Sequence, residues 1–368
     1  MFTVAAAVAH LERMLPLRLA AEWDNVGLLL GERDGAVDRV MTCLTVTPTT
    51  AAEAVERRAS MIVSHHPVLF RAVKRLTGDT TEGRMLLALA RAGVAVYSPH
   101  TAFDNARGGI NEQIATRLGL TALAPLRPGR GGARQVKLVV FVPDSDLARV
   151  SDALFAAGAG RIGEYRECSF RLAGTGTFHG SEAANPTVGQ KGRREEISEW
   201  RLEVVCPESR LSAVVTALRQ AHSYEEPAFD LYPLQAAPDS LGDGRVGELP
   251  SGGTLRDLGG QLRQALACGP IQMVGEADRP VRRVAIVCGS GGELLLDAVR
   301  AGADVMITGE ARYHDCLAAE AAGVALLLPG HHASERPGVE ELARRLAVEW
   351  SGVMVWASET ERDPVGYC

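Results

Sequence analysis

Two adjacent histidines, His65 and His66, directly follow the apolar run Met61 to Ser64. The arrangement recurs twice: His100 and Asp104 follow Val94 to Pro99, and His331, His332 and Glu335 follow Ala325 to Gly330. These segments hold five of the nine histidines in the chain, so they carry most of its imidazole chemistry. Imidazole and carboxylate suit hard or borderline divalent ions that keep open coordination positions, and a pair of such ions needs a bridging carboxylate. Asp104 and Glu335 are the available bridges. If His331 opens a helix, Glu335 lies one turn further along the same face, so both reach one ion. From a strand-to-loop transition, His65 and His66 point differently and can serve two neighbouring ions. His100 and His332 either orient a ligand from behind or sit in turns. A single His-His pair at a strand end reads as structural; three clusters at equivalent ends read as a metal site.

Weaker signals surround these. Gly289-Ser-Gly-Gly292 could cradle a phosphate on its amides, but it lacks the dinucleotide fingerprint and the P-loop lysine, so a structural turn is preferred. Glu310 and His314 follow the apolar run Val305 to Thr308 and either face the same cleft or open a helix. Glu22-Trp23-Asp24-Asn25, ahead of Gly27 to Gly31, is either a rim of the site or a capping turn, and the capping turn is preferred.

The elements that must position these groups follow one grammar. Strands Val40 to Thr45, Met61 to Ser64 and Val94 to Ser98 alternate with helices Thr49 to Arg58 and Glu82 to Ala92. Strands Val284 to Cys288, Val305 to Thr308 and Ala325 to Leu328 alternate with helices Glu293 to Ala301 and Leu317 to Ala322. Such β-α-β units imply an α/β fold with a parallel sheet, in which ligands bind beyond the carboxyl ends of the strands. Between the two stretches, Pro125 to Gly132 and Ala236 to Gly247 have linker composition. The outer segments 1–126 and 246–368 therefore form one metal-binding α/β domain, and 127–245 is an inserted α+β domain. Within it, strands Val136 to Val142, Glu164 to Leu172, Ser198 to Val205 and Phe229 to Leu234 alternate with helices Ser145 to Ala157 and Glu208 to His222. That order is ferredoxin-like, with Gly174 to Gly192 as a long excursion.

At 368 residues, with 46% hydrophobic residues, the chain has apolar sequence for two cores. A net charge of -6 argues against nucleic-acid binding by phosphate neutralisation. Seven scattered cysteines without a C-x-x-C pair fit reduced thiols and the cytoplasm. No run reaches the length of a membrane span. Thr3 to Leu15 reads as an amphipathic helix stopped by Pro16, and not as a signal peptide.

At these residues the chain resembles the Nif-three-like dinuclear metal family, whose members are often labelled GTP cyclohydrolase I type-two homologues. The resemblance rests on Trp23-Asp-Asn-Val-Gly27, Ser64-His-His-Pro67, His100 with Asp104-Asn105, Gly289-Ser-Gly-Gly292, Thr308-Gly-Glu310 and Gly330-His-His-Ala-Ser-Glu335. The middle segment resembles the PII-like insert of the longer bacterial members, through Gly174 to Phe178, Ala184 to Thr187 and His222 to Pro227. The resemblance implies a toroidal homohexamer with metal pairs facing an internal cavity. It implies metal ligands at His65, His66, Asp104, His331 and Glu335, two divalent ions per chain; such ligands suit zinc, manganese and iron alike, and His100, Glu310 and His332 stay candidates for support behind them. The function that follows is a divalent-metal-dependent hydrolase, its metal-activated hydroxide attacking a nucleotide-like small molecule, GTP cyclohydrolase-like or a phosphoesterase. The alternative is a non-catalytic, metal-stabilised hexameric scaffold or ligand-sensing regulator. The chemistry of the ligand set favours the hydrolase, because structural zinc sites are closed and cysteine-rich.

Overall fold

A computed structural model describes residues 1–130, 134–235 and 238–366. The chain opens with α1 (Val4–Met14), capped by the Thr3 hydroxyl, which accepts from the Ala6 amide. Then follow β1 (Gly27–Leu30), β2 (Arg39–Cys43), α2 (Pro48–Glu56), β3 (Met61–Ser64), α3 (Thr81–Arg91), β4 (Ala95–Ser98), α4 (His100–Asn105), α5 (Ile110–Arg117), β5 (Thr121–Ala124) and β6 (Arg127–Arg130). The middle holds β7 (Gln135–Pro143), α6 (Leu147–Ala156), β8 (Phe170–His179), β9 (Arg194–Pro207), α7 (Leu211–Ala221) and β10 (Phe229–Leu234). The last stretch comprises β11 (Pro238–Asp243), β12 (Arg245–Thr254), α8 (Leu255–Leu266), β13 (Gln272–Val274), β14 (Pro280–Ser290), α9 (Leu295–Arg300), β15 (Val305–Glu310), α10 (Tyr313–Ala322), β16 (Ala325–Leu328), α11 (His331–Glu349) and β17 (Met354–Ala357). The chain divides into two compact units, residues 1–129 with 239–368, and residues 130–238. Among the described residues no helix is long and apolar enough to cross a membrane.

The first unit contains two main sheets where the alternating pattern predicts one. A five-stranded sheet has the order β1-β4-β3-β2-β17, parallel except for the antiparallel edge strand β1. A six-stranded sheet has the order β13-β16-β15-β14-β12-β5, parallel only through β14, β15 and β16. Every residue of β3, β4 and β16 is buried, as befits parallel strands covered on both faces. The sheets exchange one strand each: β17, from the end of the chain, pairs with β2, and β5 pairs with β12. Helix α11 packs against β2 and β17 of one sheet and β14 and β15 of the other, so its first turn lies where both sets of strands end. Gly338 permits a close approach there, because a Cβ on it would fall 2.6 Å from Ile110 Cγ1 of α5. One apolar cluster runs through Leu11, Tyr97, Phe103, Ile286, Ile307 and Leu346. Each fully buried side chain of this kind contributes roughly 1.5–3 kcal/mol.

The second unit has an antiparallel sheet in the order β10-β7-β9-β8, with β-α-β-β-α-β succession. Val136, Leu138, Val140 and Val142 alternate along β7 toward one face, where α6 and α7 supply Val150, Leu154, Val214 and Leu218. The second strand spans Phe170–His179 rather than Glu164 to Leu172, and the excursion begins at Gly180. Seven of its first eight residues are exposed, so hydrophobic alternation gives no signal of its true limits. The linker-like segments also carry strands: β6 pairs with β11, and β12 joins the six-stranded sheet. Helix α10 begins four residues before Leu317, at Tyr313, because Asp315 caps it by accepting from the Arg312 amide.

Candidate metal centre

His65 and His66 stand where β3 ends, pinned by their own backbone. The His65 and His66 amides donate to the Cys43 and Leu44 carbonyls at 2.9 and 2.8 Å. The Ser98 hydroxyl donates to the His65 carbonyl at 2.6 Å, and the Ser64 hydroxyl to that of His66 at 2.9 Å. The His66 ring is set by Nδ1, 2.7 Å from Thr45 Oγ1. Thr45 is itself held by the Glu361 carboxylate, which accepts from the Leu44 and Thr45 amides and pairs with Arg336. His100 opens α4 with φ +33°, a conformation that costs a non-glycine residue about 1–3 kcal/mol. Asp24 holds it there: its carboxylate lies 2.7 Å from His100 Nδ1 and accepts from the Thr101 amide and hydroxyl at 3.2 and 2.5 Å. The turn at Asp24 therefore stands at the rim of a cavity, and its carboxylate holds the first turn of α4 as well as His100.

Glycines bring the third cluster in. Gly289 has φ +65°, and a Cβ on it would lie 2.2 Å from Glu335 Oε1. At Gly309 a Cβ would lie 2.6 Å from the Gly289 carbonyl and 2.7 Å from Ser334 Oγ. The Gly289 amide donates to Ser334 Oγ at 3.0 Å, and the Gly291 amide to Thr308 Oγ1 at 2.9 Å. With those two amides engaged, Gly289 to Gly292 is a packing turn, the preferred of its two readings.

Six side chains converge. His66 Nε2 and His331 Nε2 lie 3.1 and 3.2 Å from Glu335 Oε2, and His65 Nε2 lies 3.7 Å from Glu335 Oε1 and 3.5 Å from Asp104 Oδ1. Two groups of donor atoms, His65 with His66 and His100, and His66 with His331 and Glu335, each fall within 4.8 Å of one another. His66 is common to both. Asp104 joins them through His65 and also takes a contact from the Cys288 thiol, 3.1 Å from Oδ1. Glu310 lies behind, its Oε1 3.1 Å from His331 Nδ1. His332 turns away from the cluster, its Nδ1 4.0 Å from Asp363 Oδ2. Exposed His314 is in neither donor group. Sequence reasoning missed Thr45, Cys288 and Glu361 as parts of this neighbourhood, and it left Asp24 and Ser334 inside quoted motifs without a role.

The electrostatics follow from burial and proximity. Burial pushes the Asp104 carboxyl above its usual range. Burial would do the same to Glu335, but the imidazoles of His65, His331 and His66 hold it well below. Burial opposes charge on His65, and the Asp104 and Glu335 carboxylates overcome this and raise it. Burial lowers His66. The hydrogen bond to Glu335 raises His331 to about 9. Two buried carboxylates thus gather cationic character around themselves, the electrostatic setting a metal ion would also satisfy.

The donor set fits a divalent ion by a specific test. His65 is fully buried in its side chain, yet neither Nδ1 nor Nε2 has a hydrogen-bond partner. A buried imidazole with no hydrogen bond at either nitrogen, its Nε2 3.5 and 3.7 Å from two carboxylate oxygens, is placed to give a lone pair to an electrophile among them. A cavity of about 420 Å³, lined by His66, His100, Asp104, His331 and Glu335 with Trp23 and Phe70, opens on one side. A second, of about 890 Å³, reaches His66 and His331 past Glu310 and His332.

The model of the Duf34/NIF3 (NGG1p interacting factor 3) family matches residues 2–364. A protein of Halalkalibacterium halodurans named GTP cyclohydrolase 1 type 2 homolog is 37% identical over 356 residues, covering 96% of this chain and 95% of that one. The crystal structure of a Bacillus cereus protein related to NIF3 covers 100% of this chain and 99% of its own, with 34% identity and a TM-score of 0.69. That of Staphylococcus aureus protein SA1388 has the same coverage, 27% identity and a TM-score of 0.81.

Proposed function

The chain belongs to the Duf34/NIF3 family, and from that premise we propose that it is a divalent-metal-dependent hydrolase acting on a nucleotide-like small molecule. The observation that carries this reading is His65, buried, without a hydrogen bond at either ring nitrogen, and with Nε2 facing two carboxylates. Two ions of zinc, manganese or iron would be held by His65, His66, Asp104, His331 and Glu335. Such a pair supplies Lewis-acid activation of water and of the bond to be broken. The protein's own part is placement. Glu335 faces three imidazoles, Asp24 fixes His100 at the mouth, and Thr45 fixes the ring of His66. Glu310, hydrogen-bonded to His331, holds that ring from behind. A structural site would be closed, whereas His66 and His331 line two open cavities, which favours turnover.

The name GTP cyclohydrolase 1 type 2 homolog belongs to the relatives; the opening of a guanine ring and the cleavage of a phosphodiester are both within reach of activated water. The β-α-β-β-α-β unit is read as a ferredoxin-like, PII-like insert, and the assembly as a homohexamer. The test is a turnover screen over GTP, other nucleotides and phosphodiesters, with zinc, manganese or iron supplied. Metal-dependent turnover that chelation removes is expected. A metal-loaded protein inert across the panel would refute the reading.

A further inference from the structure

Trp23 is 58% exposed and Phe70 55% exposed, so neither is held in place by burial in the core. Their rings meet edge to face at 6.0 Å and stand 6.0 and 6.3 Å from the His100 ring. Both line the mouth of the 420 Å³ cavity above the metal cluster. Their loops are nevertheless fixed. The Asn25 side chain donates to the Leu69 carbonyl at 2.7 Å, joining the loop of Trp23 to that of Phe70. The Ala21 amide donates to Thr101 Oγ1, and Asp24 is locked to His100 and Thr101. Two wet aromatic rings on a hydrogen-bonded frame form a preorganised surface for a flat ring, because stacking rewards a rigid platform.

Charge narrows the choice of ring. Among the described residues that line this cavity there is no lysine or arginine, while Asp104, Asp243, Glu293 and Glu335 are present. Sites that hold polyphosphates use lysine, arginine or rows of free backbone amides against the anionic oxygens, and the Gly289 and Gly291 amides are already taken. Two dications would outweigh Asp104 and Glu335, and Asp243 and Glu293 on the same lining restore the balance, so the lining presents no excess positive charge. We infer that Trp23 and Phe70 form a stacking ledge for the planar ring of an uncharged heteroaromatic substrate, of nucleoside or nucleobase size, and that the cavity discriminates against its triphosphate. This deepens the hydrolase reading and rests on its metal site. It separates the ring-binding part of the substrate from the family label, which names a triphosphate.

The experiment is equilibrium binding to the full, metal-loaded chain, without turnover, read by quenching of tryptophan emission and by calorimetry. The probes are guanosine, adenosine and uridine, each against its triphosphate at constant ionic strength. At least one nucleoside is expected to bind more tightly than its triphosphate. Trp23→Leu and Phe70→Leu should each weaken it by roughly fivefold to a hundredfold, the range of one base-aromatic stack. Trp23→Tyr, which keeps a ring, should recover most of the loss, and all variants should keep the wild-type metal content. Tighter binding of triphosphates overturns the charge inference. Equal binding by the leucine variants, or no nucleoside binding at all, overturns the ledge. Metal content on the same samples separates the two readings. Nucleoside binding without metal refutes the hydrolase and leaves only the aromatic contact, and metal without nucleoside binding refutes the ledge and leaves the hydrolase.

Discussion

Glu335 faces three imidazoles at once, those of His66, His331 and His65, while its side chain is only 4% exposed. A carboxylate so placed would offset part of the charge of a pair of dications, and Glu335→Gln keeps its size while removing its negative charge. The variant should lose at least one ion on elemental analysis, and any hydrolytic rate should fall by orders of magnitude. Glu340→Gln is the control, since Glu340 is half-exposed and pairs with Arg336 one turn back. If Glu335→Gln keeps its metal and rate while His331→Ala loses both, the bridge belongs to Asp104. The residue-level pattern was legible because candidate ligands are recognised by residue type, and histidine after an apolar strand is uncommon enough to notice. Their supports were not. Asp24 sits in a turn-forming Asp-Asn pair whose partner His100 lies 76 positions away, and no local signal separates that role from capping. Gly289 reads as a loop glycine until Glu335, far along the chain, is found against it.

Strand ends place all three clusters, and the strands themselves were readable because β3, β4 and β16 are buried throughout and appear as unbroken apolar runs. Their grouping was not readable. β5 and β17 are four residues each, too short to announce which sheet they join, and their pairing is decided by packing across the whole unit. One carboxylate of α2 gathers five donors from the C-terminal stretch. Glu53 accepts from Trp356 Nε1, Ser358 Oγ, the Glu359 amide, and the Thr360 amide and hydroxyl at 2.6–3.2 Å. Burial alone would raise its pKa, but the hydrogen bonds from Ser358, Glu359 and Thr360 lower it from 4.5 to about 2. A depressed folded-state value stabilises the protein above the unfolded value, and that stability is lost as pH falls from about 4.5 through about 2. The side chain is 4% exposed, so the contribution is on the order of 3 kcal/mol. Acid titration followed by circular dichroism should show Glu53→Gln less stable than wild type at neutral pH, with the gap closing below about pH 4. A gap that stays constant down to pH 2 would detach the effect from this carboxylate.

At the scale of the molecule, the outer stretches are interlocked by the exchange of β5 and β17 and by α11, which packs on both sheets. The middle unit has its own core. Replacing residues 131–237 by a short linker joins the ends of β6 and β11, which are already hydrogen-bonded neighbours. The shortened chain should fold and retain the full metal content, because every side chain of the cluster lies in the first unit. A folded deletion variant that no longer binds metal would count against that division. The hexamer follows from resemblance alone, and light scattering of the intact chain reads it directly, a mass near six chains being expected. Whether this protein is a metalloprotein at all is decided by one number, the metal content of the purified, intact chain after growth in metal-replete medium. About two divalent ions per chain are expected, since five ligands with two carboxylate bridges exceed what one tetrahedral ion needs; a content near zero would contradict it.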